Sequence, residues 1–327
     1  MRQQSPSPLK TRLLALGKVA VSLLLLGLLA RSLDLSAVAG TLTRLPPLPL
    51  LAACVLLIVQ TLVLGFRWWL VMEAVGTRLP LRKILPITFI GVFFNQVLPT
   101  SFGGDAVRMY QACRLGITYD RAIIGVLLER AGGVLGLTVI VALGVWATEG
   151  LIDDAWLRYG LIAALPVAFF GAGMVGTLDR LPERWRRWRL LRDLARLATD
   201  SRRVFFSPGI AVPLLLLSLL SHALLATAAY VLAEGLGLGI GFWACLALVS
   251  TVILITMIPV SFAGWGLREG AMVALLAFAG VGAPDALALS ILIGLVMLAA
   301  SLPGALFWAV QRRQPDSAKE PLGGPAP

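Results

Sequence analysis

The distribution of apolar residues along the chain predicts a bundle of membrane-spanning helices. Six stretches remain apolar for about 20 residues, the length that an α-helix needs to cross roughly 30 Å of hydrocarbon. Two further apolar stretches, 84–104 and 242–267, each end in a run of proline, serine and glycine. The six predicted spans are residues 13–30, 50–70, 122–146, 160–178, 210–233 and 286–310.

The composition agrees with this pattern. Hydrophobic residues make up 58% of the 327 residues and charged residues 14%, whereas a soluble domain carries about 25% charged residues. The net charge of +11 comes from Lys and Arg residues that mostly flank the apolar stretches, where such residues orient helices and contact anionic headgroups. We therefore expect membrane lipids as partners, and no nucleic acid, metal or cofactor.

The charged loops predict the orientation of the chain. Residues 179–203 hold nine arginines, whereas the loop around residue 152 is acidic. The positive-inside rule then places both termini and the basic loop, 179–209, in the cytoplasm. We expect the protein in the cell membrane, that is, the inner or plasma membrane. This loop also predicts an amphipathic helix on the cytoplasmic leaflet. Consistent topology requires that stretches 84–104 and 242–267 return to the side from which they enter.

The predicted fold is therefore an all-α integral membrane protein with six spanning helices plus two re-entrant helical hairpins in an inverted repeat. Repeat A covers about 48–147 and repeat B about 210–310, within one membrane domain at 13–310 that is flanked by tails at 1–12 and 311–327. The segments LPTSFGGDAVRMY and IPVSFAGWGLREG support the repeat. Pro99, Ser101, Phe102, Gly104 and Arg108 align without a gap on Pro259, Ser261, Phe262, Gly264 and Arg268.

Both motifs predict a helix break inside the membrane. Proline removes a backbone donor and glycine tolerates unusual backbone conformations, and the backbone groups that a break frees must be buried in protein or line a cavity. Paired interruptions in two halves indicate the central site of a transporter, and a helix that restarts there favours an anion. The predicted break residues are Pro99, Gly103, Gly104, Pro259, Gly264 and Gly266.

Charged residues next to the breaks are the candidate binding groups. Each costs at least about 2.5 kcal/mol inside a membrane, so each should face a cavity or a partner. Arginine matches phosphate geometry and favours substrate contact, whereas the acids could equally pair within the protein. The candidate substrate-binding residues are Arg108, Arg130, Arg268, Asp105, Glu129, Glu269, Asn95, Ser101 and Ser261.

Other polar residues have structural interpretations. Asn95 favours hydrogen bonding to the freed backbone over substrate selection, and His222 is expected to be packed and hydrogen-bonded within a helix. Trp68 and Trp69 are typical of interfacial anchors. No catalytic residue is assigned.

The segments FFNQVLPTSFGGDAVRMYQACRLG, AIIGVLLERAGGVLGL and IPVSFAGWGLREGAMVALLAFAGV resemble the lysylphosphatidylglycerol synthase transmembrane region, or flippase-like domain, family. The resemblance spans roughly residues 10–310 and implies movement of lipids between leaflets, with the charged positions as headgroup contacts. Full-length synthases carry an aminoacyl-transfer domain, and the short tail after the last helix predicts a stand-alone membrane domain without lysyl transfer. The cargo is open among phospholipid, polyprenyl-linked and hopanoid-type lipids.

The sequence thus predicts a flippase-like transporter of an amphipathic, anionic lipid. Without a nucleotide-binding motif, transport would be downhill or coupled to an ion or the membrane potential. Two alternatives are a membrane-embedded enzyme acting on a lipid or polyprenyl phosphate, and an accessory subunit of a lipid-modifying system. A homo-oligomer or a lipid-synthesis partner is compatible with each.

Overall fold

The computed structural model describes residues 40–41, 45–98, 102–148, 155–177, 189–257 and 265–313. The regular structure of these residues is helical and includes no strand. The predicted helix at 13–30, the acidic loop around residue 152, the start of the basic loop and the 314–327 tail lie outside the described residues. So do six residues of the two predicted motifs: Pro99, Ser101, Pro259, Ser261, Phe262 and Gly264.

Four of the six predicted spans coincide with long apolar helices, at 47–74, 119–147, 208–235 and 283–311. The fourth predicted span lies in a helix whose apolar part, 158–171, is shorter than a full crossing. The helices are α1 (Pro47–Ala74), α2 (Leu81–Val97), α3 (Gly103–Arg114), α4 (Tyr119–Ala147), α5 (Ala155–Thr177), α6 (Arg189–Phe205), α7 (Pro208–Gly235), α8 (Phe242–Thr256), α9 (Leu267–Leu276) and α10 (Ala283–Arg313).

One order of helix lengths occurs twice in the chain. Helices α1 to α4, here the first set, have 28, 17, 12 and 29 residues. Helices α7 to α10, the second set, have 28, 15, 10 and 31 residues. In each set two short helices, separated at the predicted break, stand between two helices long enough to cross a membrane.

The packing between the two sets is reciprocal. Helix α1 packs against α7, α2 packs against α10, and α8 packs against α4. Exchanging the two sets leaves the α1–α7 contact unchanged and interchanges the other two contacts, as in an isologous interface between two copies of one subunit. Glycines permit the close approaches: a Cβ on Gly144 of α4 would lie 2.9 Å from Cβ of Ala247 on α8. The two sets therefore share one helical core.

Helices α5 and α6 lie between the sets in sequence. Helix α6 buries Ala198, Ser201 and Val204, which are three residues apart and therefore share one face. Arg203 Nη1 donates to the carbonyl of Ala74 at 3.4 Å, and a guanidinium at a helix C-terminus stabilises such a terminal carbonyl. Part of the predicted amphipathic helix is thus covered by protein.

Helix α9 begins at a glycine whose backbone only glycine readily adopts. Gly266 has φ 85° and ψ −50°, and its N–H donates to Glu269 Oε2 at 2.6 Å. We predict that Gly266→Ala lowers the free energy of unfolding by about 1–3 kcal/mol, the cost of a strained backbone position. Thermal unfolding of the purified protein in detergent measures this.

Gly270→Ala is the matched control, one turn further along α9. A Cβ there meets no atom within 4 Å, and alanine is favoured over glycine inside a helix. We expect its melting temperature to equal or exceed that of the wild type. Equal melting of the two variants would contradict the strain at Gly266.

Candidate functional site

The break between α2 and α3 is held together by a side chain. Asn95 Oδ1 accepts a hydrogen bond from the N–H of Gly104 at 2.8 Å, which is the structural role that the sequence favours for Asn95. The two helices meet at glycines: a Cβ on Gly104 would collide with the carbonyl oxygen of Gly91, and a Cβ on Gly91 would lie 2.8 Å from Cδ of Arg108. Glycine at position 104 therefore lets the backbones of α2 and α3 meet, and glycine at position 91 leaves space for the side chain of Arg108.

The first turns of α3 supply two charges to a buried cluster. Arg108 Nη2 donates to Asp105 Oδ1 at 2.8 Å and to Glu129 Oε2 on α4 at 3.0 Å. The other oxygen of Asp105, Oδ2, accepts from Nε of Arg130. The structure therefore brings together Asp105, Arg108, Glu129 and Arg130, four residues that the sequence marked as candidate binding groups.

A fifth residue, Arg67 of α1, completes the cluster. Its Nε donates to Glu129 Oε1 at 2.8 Å, and its Nη2 donates to the same oxygen. A Cβ on Gly133 would lie 3.0 Å from Nη2 of Arg67, so a glycine on α4 leaves space for the guanidinium. We call Arg67, Asp105, Arg108, Glu129 and Arg130 the charged cluster.

The charged cluster carries three positive and two negative side chains. Four of the five side chains are at most 8% exposed, whereas the side chain of Arg130 is 31% exposed. Buried charges are tolerated when they are paired and hydrogen-bonded, and each oxygen of both carboxylates has an arginine partner. The net charge of +1 is accessible from outside the cluster at Arg130.

Aromatic rings lie against two of the guanidinium groups. Cζ of Arg108 lies 4.9 Å from the ring centre of Trp68, and Cζ of Arg130 lies 4.8 Å from that of Phe102. Each contact is worth about 0.5–2 kcal/mol, depending on how far the cation is desolvated. Phe102 is itself 46% exposed, so an aromatic face and a cationic edge lie side by side at the helix break.

The second set contains a simpler ion pair. Arg268 donates through Nε and Nη2 to Glu269 Oε1, at 3.0 and 2.7 Å, and Ser290 on α10 donates to that oxygen at 3.3 Å. Arg268 packs over Gly294, whose Cβ would lie 2.9 Å from Cζ, and stacks on Trp265 at 4.7 Å. This pair is neutral and is separate in its contacts from the charged cluster.

Helix α7 links the second set to the charged cluster. Ser218 Oγ accepts a long contact of 3.4 Å from Arg67 Nη1. His222 is buried, with Nε2 3.0 Å from the carbonyl oxygen of Gly133. His222 is therefore packed and hydrogen-bonded, as the sequence predicts.

One residue of the charged cluster, Arg67, was not identified from the sequence, and Trp68 beside Arg108 was assigned another role. Arg67 lies near the end of the predicted span at 50–70, where it resembles a charge that flanks a span. Its position inside the apolar stretch nevertheless indicates a charge that needs a partner. The assignment of Trp68 as an interfacial anchor is wrong, because its side chain is fully buried beneath Arg108. An indole in this position packs in the core instead of lying in the headgroup region.

Comparison with protein families gives an independent result. The model of the lysylphosphatidylglycerol synthase TM region matches residues 15–304, nearly the whole chain. The chain belongs to this family. It is a membrane-associated family with a relation to lipids, and the match contains both broken-helix motifs and the charged cluster. Comparison with curated proteins gives no match.

The two contacts that Glu129 makes to arginines generate a prediction about stability. Glu129→Gln keeps the shape of the side chain but leaves Arg67 and Arg108 without their shared carboxylate. We expect the free energy of unfolding to fall by about 3–5 kcal/mol, the usual cost of removing one partner from a buried ion pair. Denaturant or thermal unfolding in detergent checks this.

Glu73→Gln is the control for the change of charge, because Glu73 is exposed near the end of α1. We expect it to unfold like the wild type.

Arg67→Met should lower the free energy of unfolding by less in the Glu129→Gln protein than in the wild type, because the effects of substitutions at residues in contact are not additive. Additive effects of these two substitutions would contradict the coupling.

Proposed function

We propose that the protein moves an amphipathic lipid with an anionic headgroup between the two leaflets of a membrane. The observation that carries this proposal is the net positive charge of the charged cluster, which is partly exposed at Arg130 beside the break between α2 and α3. A phosphate or phosphodiester would neutralise this charge, and arginine can bind it with two parallel hydrogen bonds.

The depth of the cluster supports transport. Arg67 lies seven residues before the end of α1, and Glu129 lies ten residues after the start of α4. At 1.5 Å per residue these positions are about 10 and 15 Å from the helix ends. A headgroup bound at these positions would lie inside the helical bundle, away from the helix ends where headgroups ordinarily lie.

The contacts of the carboxylates support the role of counter-ions. Asp105 and Glu129 each accept hydrogen bonds from two arginines, so every carboxylate oxygen has a guanidinium partner. A general acid or base must itself contact the substrate group with which it exchanges a proton, and these oxygens are already occupied by arginines. The arrangement therefore favours transport over acid–base catalysis.

The contacts also indicate how a headgroup would alter the protein. Arg130 and Arg108 both bind Asp105, which lies on the short helix α3. An anion at Arg130 competes with Asp105 for the same guanidinium and weakens the attachment of α3 to α4. Two opposed re-entrant hairpins, each formed by a pair of short helices, would then expose the site alternately to the two sides.

The test is a leaflet-exposure assay in proteoliposomes with fluorescent phosphatidylglycerol, a polyprenyl-phosphate analogue and a neutral lipid. We expect the wild type to move at least one anionic lipid faster than the neutral lipid. Arg130→Gln should slow that movement roughly 10- to 100-fold, which corresponds to the loss of a charge-assisted hydrogen bond of about 1.5–3 kcal/mol. The melting temperature shows whether the variant is folded.

Arg78→Gln is the matched control, since Arg78 is exposed in the connection between α1 and α2. It removes the same charge away from the cluster and should transport like the wild type. Folded protein that leaves all three lipids in place would contradict the proposal. Covalent alteration of one of the lipids would favour a membrane-embedded enzyme.

A further inference from the structure

A second candidate site is an apolar cavity of about 230 Å³ between α4, α5, α6 and α7. Its walls include Leu135, Phe169, Phe205 and Leu214, and none of its lining residues is charged. Gly132 of α4 also lines it, where a Cβ would lie 3.0 Å from a methyl group of Leu214. The cavity is thus distinct from the charged cluster, although it begins one helical turn after Glu129.

The size and lining of the cavity favour hydrocarbon over water. A water molecule needs two to four polar partners, and engineered apolar cavities of about 150 Å³ remain dry and bind benzene. The cavity here is larger and adjoins an exposed surface, because Phe206 at its edge is 61% exposed. In a membrane the hydrocarbon available to it is a lipid chain.

The edge of the cavity is basic. The N–H of Phe206 donates to the carbonyl of Arg202 at 2.9 Å, so Arg202 lies one helical turn before Phe206 on the same face. Arg202 and Arg203 are both exposed. Positive charge next to an apolar opening is complementary to a lipid that has an anionic headgroup and a hydrocarbon chain.

We propose that this cavity binds one acyl chain of an anionic phospholipid, whose phosphate lies at Arg202 and Arg203. The bound lipid joins α5 and α6 to the first and second sets. The site stands independently of the proposed transport, because a lipid can occupy it without crossing the membrane.

The experiment uses a photoactivatable group on the acyl chain of phosphatidylglycerol. The full chain is reconstituted in phosphatidylcholine vesicles that contain this probe, and the labelled peptides are mapped by mass spectrometry after illumination. We expect adducts on the cavity walls in α4 and α7. A phosphatidylcholine probe of the same chain should label these peptides several times less, because the arginines select the anionic headgroup.

Two substitutions that fill the cavity test its occupancy. Ala211 and Leu215 line it on α7, and Ala211→Trp or Leu215→Trp should reduce labelling of the cavity walls at least about tenfold, because an indole occupies the space of the chain. Val212→Trp is the control, since Val212 is 52% exposed and does not line the cavity. It should leave labelling unchanged.

The headgroup contact has its own test. Arg202→Gln with Arg203→Gln should remove the preference for phosphatidylglycerol. Because Arg203 also contacts the carbonyl of Ala74, its substitution could disturb the packing of α6. A second measurement therefore uses the wild type at raised salt, where screening should reduce the preference for phosphatidylglycerol over phosphatidylcholine. Labelling that is unchanged by both cavity-filling variants would overturn the chain site, and equal labelling by both probes would overturn the headgroup assignment.

Discussion

The arrangement of the first set depends on one buried carboxylate. Glu129 joins α4 to α1 through Arg67 and to α3 through Arg108. Helix α3 also packs against α2, where Asn95 accepts a hydrogen bond from the N–H of Gly104. Inside an apolar bundle an unpaired charge is far more costly than in water. The three helices must therefore pack so that these charged side chains contact each other. Glycines at 91, 104 and 133 leave the space for this packing.

Much of the helical architecture was predictable because hydropathy and helix breaks are local properties. The spans at 50–70, 122–146, 210–233 and 286–310 each coincide with a long apolar helix, and the positions of Gly103 and Gly266 at the starts of short helices agree with the predicted breaks. The two re-entrant hairpins and the inverted orientation stay predictions. They depend on the position of the bilayer, which the helices alone do not define.

The site was predictable only in part, because its geometry depends on contacts between distant helices. The charges of Asp105, Arg108, Glu129 and Arg130 stand out in an apolar sequence, but nothing local shows that Arg67 shares Glu129 with Arg108. The pairing of Glu269 was equally hidden. It depends on Gly266, whose positive φ turns its N–H towards the carboxylate and gives Glu269 a capping role in its own helix.

The two sets share helix order and reciprocal packing but differ in charge. In the first set three arginines face two carboxylates across three helices, whereas in the second set Arg268 and Glu269 neutralise each other on adjacent positions. An anion gains most where uncompensated positive charge lies in a low-dielectric environment. Under the proposed function, an anionic headgroup would therefore have one principal site, at the partly exposed Arg130 beside α3, while the second set supplies a helix pair of matching order.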